Sequence, residues 1–196
     1  MNLANKLTLF RVILVPVFIF FMSMTNISHW ALISLLIFAV ASFTDHLDGA
    51  YARKHNLITN FGIFMDPFAD KLLVTSAMIM LVAQEMIPAW IAIAIVAREF
   101  GVSGLRTLAA KDGLVIAASN LGKIKTTLQM SAIILMLIKL VLLTDDVFAG
   151  IRAWITANAS FLSSLPDILM ILAAVMTLYS GFDYFRKGWE YINPAE

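Results

Sequence analysis

The chain has no cysteine, which excludes disulfides and thiolate metal sites and leaves oxygen and imidazole as the available metal ligands. Charge is scarce as well, at 14% of residues with a net of +1. That balance argues against nucleic acid, which would need a strongly basic face, so nucleic acid is not an expected partner. What fills the space is apolar. Hydrophobic residues make up 61% of the 196 positions, and mean hydropathy is +0.87. This is the profile of an all-α integral membrane protein, read as a single membrane domain over residues 1–196.

A membrane span needs roughly 20 mostly apolar residues. Six stretches qualify: 7–25, 29–50, 66–84, 87–108, 124–143 and 165–185. Turn and polar residues separate them, among them Thr25-Asn26, Asn56 to Asn60, Gln84-Glu85 with Pro88, Lys111-Asp112-Gly113 and Asp145-Asp146. The first stretch, with Lys6 and Arg11 ahead of an apolar run, has no small-x-small cleavage site and reads as a retained helix. With six spans, Lys6, Arg11, Arg53, Lys54, Lys71, Arg98, Arg106, Lys111, Lys123, Lys125, Arg186 and Lys187 share one side, and Lys139 and Arg152 the other. The positive-inside rule then places both termini in the cytoplasm and the chain in the cell membrane as a multi-pass protein. Residues 143–165 fit this map least well; Trp154 and Phe161 among Thr, Asn and Ser read as an interfacial helix on the outer surface.

Against this apolar background, four aspartates stand at the cytoplasmic ends of spans two and three: Asp45, Asp48, Asp66 and Asp70. Carboxylates beside membrane-length apolar runs are costly and functional by default, and four converging ones require neutralising cations. Helical spacing puts Asp45, Asp48, Gly49, Ala52 and Arg53 on one stripe, with Gly62, Asp66 and Asp70 on a second. The hairpin between them lets the two stripes face each other. Hard oxygen ligands suit Mg²⁺ or Mn²⁺, and four carboxylates hold two such ions, the usual clamp for displacement at phosphorus. Gly49 and Gly62 leave room for a ligand to approach the backbone. Arg53, one turn after Gly49, is placed for a phosphate contact.

The pattern D-x-x-D-G-x-x-A-R, eight residues, then G-x-x-x-D-x-x-x-D, running from Asp45 to Asp70, resembles the signature of the CDP-alcohol phosphatidyltransferase family, with all eight fixed positions matched. The resemblance implies that Asp45, Asp48, Asp66 and Asp70 hold two divalent cations, Mg²⁺ or Mn²⁺, and that Asp70 takes the proton from the acceptor hydroxyl. It also places the CDP group of CDP-diacylglycerol near Thr8, Gly49, Ala52, Arg53, Thr59 and Gly62, and implies a homodimer. His46 departs from the family's usual choice of an aromatic or small residue. It points about 100° from Asp45 on a helix and reads as a non-ligand.

The acceptor alcohol is set elsewhere. Arg98, Glu99, Arg106, Lys123 and Lys125 surround the second cytoplasmic loop, more positive charge than a neutral alcohol needs and suited to an acceptor with its own phosphate. The stretches Asn5 to Arg11, Arg98 to Phe100 with Gly104 to Arg106, and Gly122 to Thr126 resemble the bacterial branch of the family that makes phosphatidylglycerophosphate. That resemblance implies transfer of a phosphatidyl group to sn-glycerol-3-phosphate with release of CMP, the acceptor phosphate held by Arg11, Arg98, Arg106, Lys123 and Lys125. The competing readings are a sister transferase using inositol phosphate or phosphatidylglycerol, and a divalent-cation transporter. A transporter places its site near the midplane and shows paired repeats; these carboxylates sit at one edge and no second acidic hairpin is present.

Overall fold

A computed structural model describes residues 3–55, 60–111 and 120–188; the side chains of residues 45–55 and of a few helix ends are outside that description. All regular elements among these residues are helical. Six are long: α1 (Leu3–Ser23), α2 (Trp30–His55), α3 (Asn60–Ala83), α4 (Ala89–Lys111), α5 (Asn120–Thr144) and, after a short helix α6 (Ala149–Asn158), α7 (Ser160–Lys187). Each covers one apolar stretch of the sequence. Three of them contain segments long and apolar enough to cross a membrane: Asn5–Ser23, Leu121–Thr144 and Ser160–Arg186; the apolar part of α2 covers Trp30–Thr44.

The core is built from residues every third or fourth position along these helices. Val15, Phe18 and Met22 of α1 pack with Phe38 of α2, Ala77, Met78 and Leu81 of α3, Ile95 of α4, Ile133, Met136 and Leu137 of α5, and Met170 of α7. The rings of Phe18 and Phe38 meet at 5.8 Å, tilted by 52°. The opposite faces carry Phe43, Ile93, Val175 and Phe182, all exposed. Apolar residues both inside and outside are the pattern of a bundle solvated by lipid.

Side-chain bonds fix the helix directions. Thr8 and Arg11 of α1 meet Asp66 and Asp70 of α3, while the Gln84 amide donates to the Met22 carbonyl at 2.8 Å, so α1 and α3 run parallel. Arg98 of α4 reaches Ser180 of α7, and further along Gly101 lies beside Phe185 and Leu105 beside Gly188, a second parallel pair. Lys139 of α5 and Asp167 of α7 pair at 2.5 Å across an antiparallel contact. One end of the bundle thus collects the starts of α1, α3 and α5 and the ends of α4 and α7. Among the described residues α3 packs mainly on α1, with only marginal contact to α2, so α1 lies beside both arms of the expected aspartate hairpin.

The far end is closed by backbone and side-chain caps. Helix α3 stops in a Schellman turn, with the Met86 amide donating to Leu81 and that of Glu85 to Val82. Glu85 takes the left-handed φ of 57° usually given to glycine there. Arg152 donates to the Leu143 carbonyl at 2.8 Å and covers the end of α5. Buried Asp145 accepts from the Val147 amide and shares a 2.6 Å hydrogen bond with His29, tying the α1–α2 turn to the end of α5. Those two bonds hold its carboxyl below the usual carboxylate range, the His29 contact most, against an opposing effect of burial. Helix α6 buries no residue and exposes Ile151 and Trp154, in keeping with the interfacial helix expected between 143 and 165.

Candidate active site

Helix α3 enters at Asn60 and carries Gly62, Asp66 and Asp70 within its first three turns. Pro67 sits between the two aspartates, inside the helix and exposed. Asp66 and Asp70 are one turn apart and project from the same face. Both are held from α1. The Thr8 hydroxyl, 1% exposed, donates to Asp66 Oδ1 at 2.7 Å. The Arg11 guanidinium, fully buried, donates from Nη1 to Asp70 Oδ1 at 2.6 Å, and the Asp70 side chain is 49% exposed. Thr8 and Arg11 had been assigned to CDP and to acceptor phosphate, and the structure gives each a carboxylate partner. On α2, Asp45, Asp48, Gly49, Ala52 and Arg53 fall in the last three turns of the helix, but their side chains lie outside the described residues, as Thr59 does entirely.

Asp70 also forms part of the wall of a cavity of about 870 Å³ between α3, α4, α5 and α7. Its charged lining comprises Asp70 and Lys71 from α3, Arg98, Glu99 and Arg106 from α4, and Lys123 from α5. Four cations thus stand against two carboxylates. Thr126, Thr127 and Gln129 add polar groups from α5, and Val74, Ile95, Val96 and Met130 add apolar surface. Arg106 and Lys123 are exposed, near the ends of their helices. Arg98 is anchored more firmly. It donates to Ser180 Oγ at 2.6 Å, lies 5.5 Å from the centre of the Tyr184 ring, and packs its stem where a side chain at Gly181 would be. Lys125 is buried and paired with Glu99, which makes it a brace between α5 and α4.

A carboxylate edge opening onto a cationic cavity is an arrangement for anionic substrates reacting at phosphorus. The comparisons with known proteins agree. Residues 1–179 match the family model described as CDP-alcohol phosphatidyltransferase. The chain belongs to that family. A CDP-diacylglycerol–glycerol-3-phosphate 3-phosphatidyltransferase of Bacillus subtilis is 40% identical over 99% of this chain and 98% of its own length. A protein of the same name from Rickettsia felis is 35% identical over 97% of both chains. A probable phosphatidylglycerophosphate synthase of Mycobacterium tuberculosis is 37% identical over 95% of this chain and 81% of its own. As a family member the chain is a transferase.

The structure brings together Asp66, Asp70, Thr8 and Arg11 at one edge, and Arg98, Arg106 and Lys123 in the adjoining cavity. Sequence reading missed Lys71 and Gln129 in that wall. Lys71 was counted only as a positive-inside charge. Gln129 carried no mark of its own in the sequence, lying between Thr126-Thr127 and Ser131 near the start of an apolar run.

Proposed function

We propose that this enzyme transfers the phosphatidyl group of CDP-diacylglycerol to sn-glycerol-3-phosphate, giving phosphatidylglycerophosphate and CMP. The observation that carries the proposal is the position of Asp70, which is tied to Arg11 on one side and lines the cationic cavity on the other. The names of the relatives point to the same reaction.

The acceptor enters the cavity with its phosphate between Arg106 and Lys123, where a guanidinium offers two parallel hydrogen bonds. Its C1 hydroxyl then reaches Asp70. That carboxylate takes the hydroxyl proton as the oxygen bonds to the phosphorus bearing diacylglycerol, and the bond from that phosphorus to CMP breaks. Arg11 and Thr8 orient the two α3 carboxylates and exclude water from behind them. The donor set fits hard divalent cations: Asp66 and Asp70 share a face, and Asp45 and Asp48 supply two more carboxylates at the end of α2. Two Mg²⁺ or Mn²⁺ held there would neutralise charge developing on the leaving CMP.

We place the protein in the cytoplasmic membrane with six spans and both termini inside. Helix directions support this, since the end with Asp66 and Asp70 also carries Arg106 and Lys123. The acyl chains of the donor stay in lipid while the soluble acceptor arrives from the cytoplasm. A homodimer rests on the family resemblance alone. The test supplies CDP-diacylglycerol in nanodiscs with separately labelled glycerol 3-phosphate, inositol phosphate and phosphatidylglycerol. Label from glycerol 3-phosphate should enter lipid. Turnover of only another acceptor would move the chain to a sister activity, and cation flux without transfer would make it a transporter.

A further inference from the structure

Helix α5 lowers a row of polar side chains into the cavity. Lys123 stands near its start, and Gln129 lies six residues deeper, about 9 Å along the axis at 1.5 Å per residue. Gln129 is 2% exposed and forms part of the cavity wall. Its Oε1 is buried and has no hydrogen-bond partner among the described residues. Buried carboxamides are almost always satisfied, and an orphan at a binding cavity calls for a ligand group. The cavity it lines offers hydroxyls at Thr75, Ser103, Thr126 and Thr127, yet Oε1 takes a hydrogen from none of them among the described residues.

The acceptor has three polar ends. Arg106 and Lys123 take the phosphate and Asp70 takes the attacking C1 hydroxyl, which leaves the C2 hydroxyl. An extended glycerol phosphate spans several ångströms, so a phosphate near Lys123 puts its carbons toward the depth of Gln129. A hydroxyl gives a hydrogen and accepts one, and a carboxamide answers both. We propose that the Gln129 carboxamide hydrogen-bonds the C2 hydroxyl of the acceptor and thereby selects the sn-3 enantiomer. With the phosphate and C1 fixed, the two enantiomers differ only in whether hydrogen or hydroxyl points at the third contact. Gln129 is that third contact. The inference rests on the glycerol 3-phosphate reading of the site.

The experiment measures kcat/KM for sn-glycerol-3-phosphate, sn-glycerol-1-phosphate and 3-hydroxypropyl phosphate, using the full chain in nanodiscs with CDP-diacylglycerol. A neutral hydrogen bond to a buried carboxamide otherwise left unpaired is expected to give the wild type about a 10- to 100-fold preference for the sn-3 substrate over both analogues. Gln129→Met should shrink both preferences to about threefold or less, chiefly by loss on the sn-3 substrate. Its KM for CDP-diacylglycerol and its rate with 3-hydroxypropyl phosphate should stay near wild type. Gln129→Asn, which withdraws the amide by one methylene, should do the same and serves if the methionine variant fails to fold. Wild-type selectivity in either folded variant would overturn the assignment. Failure of the parent reading shows separately, as no wild-type turnover of sn-glycerol-3-phosphate.

Discussion

Arg11→Met removes the guanidinium that holds Asp70 while keeping an unbranched apolar stem in its place. Arg11 is fully buried, so no water takes over its position, but half of the Asp70 side chain reaches solvent. Truncating one partner of a fully buried pair costs about 3–5 kcal/mol, which is the ceiling here. A charge-assisted hydrogen bond contributes about 1.5–3 kcal/mol, and solvation of the exposed half of Asp70 favours the lower part of that range. A loss of about 2 kcal/mol lowers Tm by roughly 4–8 °C in a chain of this size. The catalytic effect should be larger, because a base displaced by an ångström costs on the order of 10²-fold in rate. Labelled glycerol 3-phosphate transfer in nanodiscs reads kcat, and tryptophan fluorescence reads Tm. The expected result is a kcat reduced by about 10- to 100-fold, a near-normal KM for CDP-diacylglycerol and partial recovery in Arg11→Lys. Wild-type kcat together with wild-type Tm in Arg11→Met would refute the role given to this contact.

Lys125→Met should destabilise by about 2 kcal/mol, because it leaves the Glu99 carboxylate only its longer 3.9 Å contact to Arg98, and Glu99→Leu added to it should recover most of that loss. A raised KM for glycerol 3-phosphate at unchanged stability would instead return Lys125 to phosphate binding. Arg106→Lys should raise that KM about tenfold and spare CDP-diacylglycerol, since one ammonium cannot replace two parallel guanidinium bonds. Gly181→Ala puts a methyl 2.8 Å from Cγ of Arg98, so Arg98 must shift away from Ser180 and the Tyr184 ring; acceptor KM should rise and Tm should fall together. Asp145 has a folded pKa below its ordinary value, so its stabilising contribution is present above about pH 4 and is lost as pH falls through the lower folded value. The Tm deficit of Asp145→Asn, measured from pH 7 to pH 3, should therefore shrink below about pH 4; a constant deficit would contradict the His29 contact.

Helix positions were legible because each apolar run is bounded by turn residues, and most observed helix ends lie within about a turn of the ends of those runs. Of the aspartate block, the spacing of Asp66 and Asp70 put them on one face as observed, while the side chains of Asp45 and Asp48 lie outside the described residues. Which side chains serve those aspartates was not legible. Thr8 and Arg11 lie about 60 positions upstream of Asp66 and Asp70, and only the parallel packing of α1 on α3 brings them together. The basic residues were readable as a group, but their roles were not, because positive-inside charge, brace and ligand look alike in sequence. Burial separates them: Lys125 is fully covered and paired with Glu99, whereas Arg106 and Lys123 stay exposed on the cavity. Gln129 needed the cavity itself to be noticed.

In the proposed reaction the aspartate edge couples lipid formation to CMP release. The most direct measurement counts both products at once, in wild type and in Asp66→Asn, with Mg²⁺ or Mn²⁺ saturating. One CMP is expected for each labelled glycerol 3-phosphate entering lipid in the wild type. Both products should be lost in Asp66→Asn, which should still insert and fold, because Thr8 can hydrogen-bond the amide oxygen in place of the carboxylate. CMP release without lipid labelling, or near-normal turnover in folded Asp66→Asn, would contradict that role of the edge.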